Sequence, residues 1–263
     1  MLTIFTPVYN REETLTRLYE SLLRQTSKDF QWVVVDDGST DGSGELIKKF
    51  KINAPFEIVY KYVENGGKMR AINMGVSLAL GEFFLIVDSD DYITDNCVEQ
   101  VLTYGKTLPK LLGGMIFRKI DMKSQNISGK PYPKKVIDSS PIEIVYKLGI
   151  IGDKAEVFRT ELLKENPFKV YEGEKFIPEA LVWVKIGEEH KMRYIDEGIY
   201  YFEYLEDGYT KNFKKLMQNN PRGFKEYYKA MISYPLPLKN KLRFLIRYMQ
   251  AKYYIFKEKG EKK

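Results

Sequence analysis

Glu82-Phe83-Phe84-Leu85-Ile86-Val87-Asp88-Ser89-Asp90-Asp91 is an apolar run that breaks off into three carboxylates. The apolar part is too short for a helix and rich enough in β-formers to read as a buried strand, with the acidic turn at its carboxyl end. Working outward from it, Leu2–Thr6, Gln31–Val35 and Glu57–Val63 have the same character, and Arg11–Gln25, Gly42–Lys51 and Lys68–Leu80 are amphipathic stretches of helix length between them. Strands alternating with helices predict βαβ units and an α/β fold, with a mostly parallel central sheet flanked by helices. In such a sheet the turns after the strands collect at one edge, where ligands bind.

Beyond about Asp95 the pattern loosens. Gly113-Gly114, Pro131-Tyr132-Pro133 and Pro141 punctuate short segments, and a helical pattern resumes near Ile177–Gly187. Residues 1–210 are read as one domain in two halves, 1–105 and 106–210. From Leu238 the residues Leu242, Leu245, Met249, Tyr253 and Phe256 recur at helical spacing among lysines and arginines, so 211–263 is read as a helical, basic, aromatic-rich extension.

Composition narrows the classes. The chain of 263 residues is 44% hydrophobic, enough for a sizeable core. One cysteine, Cys97, and one histidine, His190, exclude a disulfide framework and a Cys/His zinc site, and a reducing cytoplasm is the expected compartment. No signal peptide and no apolar stretch of about 20 residues is read, so no membrane span is expected. Net charge is +6 overall, but residues 211–263 hold 15 Lys/Arg against 3 Asp/Glu, a net of +12, and the remainder is net −6. Because the positive charge is confined to that segment and no nucleic-acid module appears, nucleic-acid binding is not expected.

Three turns carry chemistry. Carboxylates as close as Asp88, Asp90 and Asp91 repel one another, and a hard divalent cation, Mg²⁺ or Mn²⁺, is the ligand that suits them. The plainer reading is an Asp-rich turn capping the next helix. A second acidic turn, Asp36-Asp37-Gly38-Ser39-Thr40-Asp41, puts Asp37 where it can accept hydrogen bonds from a base or ribose; its plainer reading is a helix start capped by Asp41 or Ser39. The third, Asn65-Gly66-Gly67-Lys68, runs into a helix with Lys68 and Arg70 in its first turn. Cations there oppose the helix dipole, which points to an anionic partner such as phosphate, the alternative being a solvated basic face. The spacing is not that of a P-loop.

Taken in order, Thr6-Pro7-Val8-Tyr9-Asn10, Val35-Asp36-Asp37-Gly38-Ser39-Thr40-Asp41, Asn65-Gly66-Gly67-Lys68 with Asn73, and Asp88-Ser89-Asp90-Asp91 resemble the motifs of the family 2 glycosyltransferases over roughly residues 1–105. The resemblance implies the GT-A fold, an inverting transfer from a nucleotide-diphosphate sugar with UDP as the nucleotide, and Mn²⁺ or Mg²⁺ as cofactor. It implies that Thr6, Pro7, Tyr9, Asp37, Gly67, Lys68, Asn73, Asp88, Ser89 and Asp90 line the donor site, and that Asp88, Asp90 and Asp91 hold the metal. An inverting transfer needs a base for the acceptor hydroxyl. Glu172, Glu174 and Glu179 offer carboxylates in the right region. Glu179, after Pro178 and before Leu181-Val182-Trp183, is preferred, with Glu174 next; the Glu-Asp pair usual in the family is absent. His190, in a charged turn, is given no catalytic role, and Cys97 is read as an inward-packing helix residue.

The acceptor implied is a saccharide or a lipid-linked saccharide of a bacterial cell surface. The basic extension suits peripheral contact with an anionic membrane at its cytoplasmic face, or else packs its apolar stripe on the domain with its cations in water. A nucleotidyltransferase and a non-catalytic nucleotide-sugar-binding partner protein are the competing readings.

Overall fold

The structure, a computed structural model, describes residues 1–203 and 213–261. The expected boundary at 210/211 lies outside the described residues. The four anticipated strands form, as β1 (Leu2–Val8), β2 (Phe30–Asp36), β3 (Glu57–Tyr62) and β4 (Phe83–Ile86), and pair in parallel in the order β3-β2-β1-β4. Between them lie α1 (Glu12–Leu23), α2 (Ser43–Asn53) and α3 (Lys68–Leu78). After β4 come β5 (Tyr92–Ile93), α4 (Cys97–Lys106), β6 (Gly114–Asp121), β7 (Val136–Ser139), a π-helical turn at Glu143–Lys147, β8 (Lys154–Arg159), α5 (Thr160–Glu165), α6 (Ala180–His190) and β9 (Met192–Phe202).

These later strands extend the same sheet. β8 runs antiparallel between β4 and β6, β9 lies parallel to β6, and β5 and β7 each pair antiparallel with β9. Parallel pairing thus holds for the first four strands and for β6 with β9, while β8, β5 and β7 run against it.

Residues alternate across the sheet with the strand period of two. Leu2, Ile4, Trp32 and Val34 pack under α1, α2 and α4, whereas Phe5, Val33, Val35 and Phe84 pack under α3, α5 and α6. Burial on both faces is why these strands read as near-continuous apolar runs. Cys97 is fully buried at the start of α4, as an inward-packing residue should be.

The remaining helices are α7 (Phe213–Asn219), α8 (Pro221–Ser233) and α9 (Leu238–Glu261). Phe176, before α6, joins Met217, Phe224, Tyr228 and Ala251 in one cluster, and Ile142 joins Met231 and Leu236 in another, so these helices lean on the α3/α6 side of the sheet. No helix among the described residues is long and apolar enough to cross a membrane.

Candidate active site

Parallel strands deliver their carboxyl ends side by side, and β1, β2 and β4 do so here. The amide of Val87 donates to the carbonyl of Phe5, and that of Asp37 to the carbonyl of Val8. The acidic turns therefore stand along one edge, as the spacing predicts.

The Asp88–Asp91 turn caps no helix. β5 intervenes, and α4 begins only at Cys97. The turn is instead held from α1: Thr14 Oγ1 donates to the carbonyl of Ser89 at 2.8 Å, and the Arg17 guanidinium donates to the carbonyl of Asp90. These bonds use backbone carbonyls and leave the acidic side chains free of α1.

Lys68 joins the distant parts of the site. Its Nζ lies 2.7 Å from Asp88 Oδ1 and 2.8 Å from Glu179 Oε1, with only 19% of the side chain exposed. The two carboxylates hold its ammonium charged against the cost of burial, and the same lysine holds the Asp88 carboxyl below its ordinary range. A solvated basic face is thereby overturned for Lys68. Glu179 stands immediately before α6, whose first turn carries no other acid.

The glycine turn that positions Lys68 is anchored by Asp37. Its two oxygens accept from the amides of Gly66 and Gly67, each at 2.8 Å, and its own carbonyl accepts from the Asn65 side chain. Gly67 has φ +91, and a Cβ there would lie 2.2 Å from the Lys175 carbonyl oxygen, so the position requires glycine. Asp37 is 5% exposed, and its bonds in the structure are to the turn rather than to an open pocket; each carboxylate oxygen keeps a further lone pair. Asp41, as its plainer reading has it, serves helix starts: its two oxygens accept from the amides of Ser43 and Glu12.

Asp90 and Asp91 diverge. Asp91 is buried, its Oδ2 accepting from Tyr200 Oη at 2.7 Å and lying 3.8 Å from Lys119 Nζ, and burial pushes its carboxyl up to about 7. Tyr200 Oη in turn accepts from the Asp88 amide. Asp90 is half-buried, and among the described residues no cation lies at ion-pair distance from it; burial and the neighbouring Asp88 raise its carboxyl. The expected three-carboxylate metal set is not assembled: among the described residues no three Asp, Glu, His or Cys side chains converge on one point. Asp91 is turned away because Tyr200 satisfies it inside the protein. Asp90 beside Asp88 is still a carboxylate pair of the kind that would hold a magnesium or manganese ion, since such ions need only one or two protein carboxylates.

Several anticipated residues serve the frame. Thr6 is fully buried and accepts from Trp32 Nε1. Asn73 exchanges two 2.8 Å hydrogen bonds with the backbone of Phe168, so its amide is spent in tying α3 to that loop. Glu174 is the clearest correction. Its carboxylate is buried under α8, accepting from the amides of Arg222 and Gly223 and from the Arg222 guanidinium, and it has no access to an acceptor. Pro7 and the half-exposed Tyr9 do reach the edge at the end of β1, and Ser89 is buried within the acidic turn. His190 closes α6 at the end opposite Glu179, roughly 16 Å along the helix.

Sequence reasoning missed Tyr200, Lys119 and Glu156. Lys119 Nζ stands 3.7 Å from the centre of the Tyr200 ring. Glu156, on β8, lies within electrostatic reach of Lys119, Lys154 and Glu179, and burial pushes it up to about 7. The one available signal was the alternation Lys154-Ala155-Glu156-Val157, a strand with one polar face.

The sequence model of the family described as "Glycosyl transferase family 2" matches residues 3–164. The glycosyltransferase GlyG of Streptococcus pneumoniae serotype 4 is 38% identical over 99 residues, covering 38% of this chain and 33% of that protein. The poly(ribitol-phosphate) beta-glucosyltransferase of Bacillus spizizenii is 31% identical over 181 residues, covering 63% of this chain and 26% of that protein. The chain thus spans about a third or less of these curated relatives. Among solved structures, S. aureus TarS 1-349 in complex with UDP-GlcNAc superposes with a TM-score of 0.71 at 21% identity, over 96% of this chain and 72% of that one. The mannosyltransferase PcManGT from Pyrobaculum calidifontis, in complex with GDP-Man and Mn²⁺, gives 0.63 at 17% identity, over 98% and 75%. The fold is the GT-A fold that these proteins share.

Proposed function

Since the chain belongs to glycosyl transferase family 2, we propose that it transfers a sugar, with inversion, from a nucleotide-diphosphate donor to a hydroxyl of a saccharide or lipid-linked acceptor. The observation that carries this reading is the Lys68 bridge, which joins a carboxylate of the acidic turn, Asp88, to the acid before α6, Glu179. UDP is the nucleotide we favour, supported by the UDP-GlcNAc complex of TarS. A bacterial cell-surface polymer is the acceptor class we favour, supported by the poly(ribitol-phosphate) glucosyltransferase among the relatives. We read residues 1–105 as the donor half, 106–210 as the acceptor side and 211–263 as a helical, basic extension.

In this reading Tyr9 offers its exposed ring to the base and Pro7 shapes the edge beside it. Asp37 fixes the glycine turn and keeps lone pairs for the nucleoside. Lys68 meets the diphosphate, whose charge competes with Asp88 and Glu179 for the ammonium. Asp90 and Asp88 are the residues to hold Mg²⁺ or Mn²⁺, which when bound neutralises charge on the departing diphosphate. Asp91, fixed by Tyr200, positions the turn. Glu179 then takes the proton of the acceptor hydroxyl as its oxygen bonds to the anomeric carbon and the bond to the diphosphate breaks.

Calorimetric titration with UDP, GDP, CDP and ADP, with Mn²⁺ and then with EDTA, tests the donor side. One diphosphate binds in a metal-dependent way, and Asp90→Ala abolishes that binding. Glu179→Gln keeps donor binding and lowers turnover by about 10²-fold or more. Wild-type turnover in Glu179→Gln moves the base elsewhere, and undiminished binding in Asp90→Ala removes the donor assignment.

A further inference from the structure

The last helix, α9, is apolar on two sides. Its inner side, Phe244, Tyr248 and the fully buried Ala251, packs against Phe224, Tyr227 and Tyr228 of α8. Its outer side carries Leu242, Leu245, Ile246, Met249, Tyr253 and Phe256, each between 45% and 76% exposed. At 3.6 residues per turn these six fall within an arc of roughly 100°. The stripe anticipated from the sequence is therefore the one that faces out, and a different set of residues docks the helix. Cations border the stripe on both sides: Lys241 and Lys252 along one edge, Lys239 and Arg243 along the other.

We propose that this outer stripe is a seat for the surface of an anionic membrane, with α9 lying in the plane of the interface. The apolar side chains would reach the acyl boundary while the bordering lysines and arginine meet lipid phosphates. The charge argues for lipid over a second copy of this chain, because stripe-to-stripe pairing would bring the bordering cations of both copies together. It also argues for lying on the bilayer rather than crossing it, since no described helix has the length and apolarity to span. Because the inner side is already docked on α8, the helix is formed before it meets lipid and the stripe needs no coupled folding. The inference stands apart from the transferase reading, since it uses no residue of the donor or acceptor site.

The test is co-sedimentation of the full chain with vesicles of phosphatidylcholine alone and of phosphatidylcholine mixed with phosphatidylglycerol, with sedimentation velocity run in parallel without lipid. The parent chain partitions onto the anionic vesicles and far less onto the neutral ones. Ile246→Asp with Met249→Asp abolishes partitioning at unchanged circular dichroism, and Lys239→Glu with Lys252→Glu lowers it by about tenfold or more. Equal binding to both vesicle types, no binding to either, or undiminished binding of the double aspartate variant overturns the proposal. A dimer in lipid-free solution that the double aspartate variant dissolves overturns it in favour of a second copy.

Discussion

A lysine in the first turn of a helix sits at the positive end of its dipole, which disfavours the charge by a few tenths of a kcal/mol or more. Lys68 tolerates the position because Asp88 and Glu179 flank it at 2.7 and 2.8 Å. Glu156 has no such escape: burial outweighs Lys119 and Lys154 and lifts its carboxyl from an ordinary 4.5 to about 7. Between these values the folded chain keeps a proton that the unfolded chain has released. Stability therefore falls as pH rises through that window and levels off above it. Glu156→Gln removes this slope, so at pH 8 the variant is more stable than the parent by up to about 3 kcal/mol, and near pH 4 the two are alike. Denaturant unfolding across that range checks it; parallel profiles would mean that Glu156 is ionised in the folded chain.

Among the elements, α8 shows how a helix start can be capped from far away. Pro221, at its first position, has no amide hydrogen to satisfy, and the next two amides, of Arg222 and Gly223, donate to Glu174. Asn220 returns the favour, its side-chain oxygen accepting from the amides of Lys175 and Phe176. Glu174→Ala should cost about 1–3 kcal/mol, because two helix-start amides lose their acceptor while Arg222 keeps its ion pair with Glu258, and Glu174→Gln less; thermal unfolding of both reads this out. The same clamp explains what the sequence hid. βαβ units were legible because β1 to β4 are apolar on both faces and their helices lie close by along the chain. β6, β8 and β9 present polar residues such as Lys154, Glu156 and Arg193 between apolar ones, and they pair across long separations. Within the site, Asp88, Lys68 and Glu179 were legible as charges at helix and strand ends. Thr6, Asn73 and Glu174 look identical as residue types, and only tertiary contacts with Trp32, Phe168 and Arg222 reveal them as framework.

At the scale of the whole molecule the C-terminal helices are a buttress of the glycine turn that carries Lys68. Lys175 lies between Glu174 and Phe176, its carbonyl presses on Gly67, and its ammonium meets the Asn65 side chain. A chain stopped after Glu203 loses both halves of the Glu174/Asn220 clamp and leaves Glu174 without its partners. Such a truncation is expected to unfold at a lower temperature and to bind UDP more weakly than the full chain even where its circular dichroism keeps the helix and strand signals; calorimetry on both lengths decides. Undiminished UDP binding would show that the glycine turn holds its shape unaided.

The clamp also sets a schedule for the chain as it is made. Arg222 and Gly223 leave the ribosome 48 and 49 residues after Glu174, by which time β1 to β4 and the helices between them have long been synthesised. The emerging chain can therefore complete most of its sheet while the turn that carries Lys68 still lacks its backing. On the donor reading proposed above, a nascent chain is expected to hold a nucleotide sugar more weakly until synthesis has passed the start of α8.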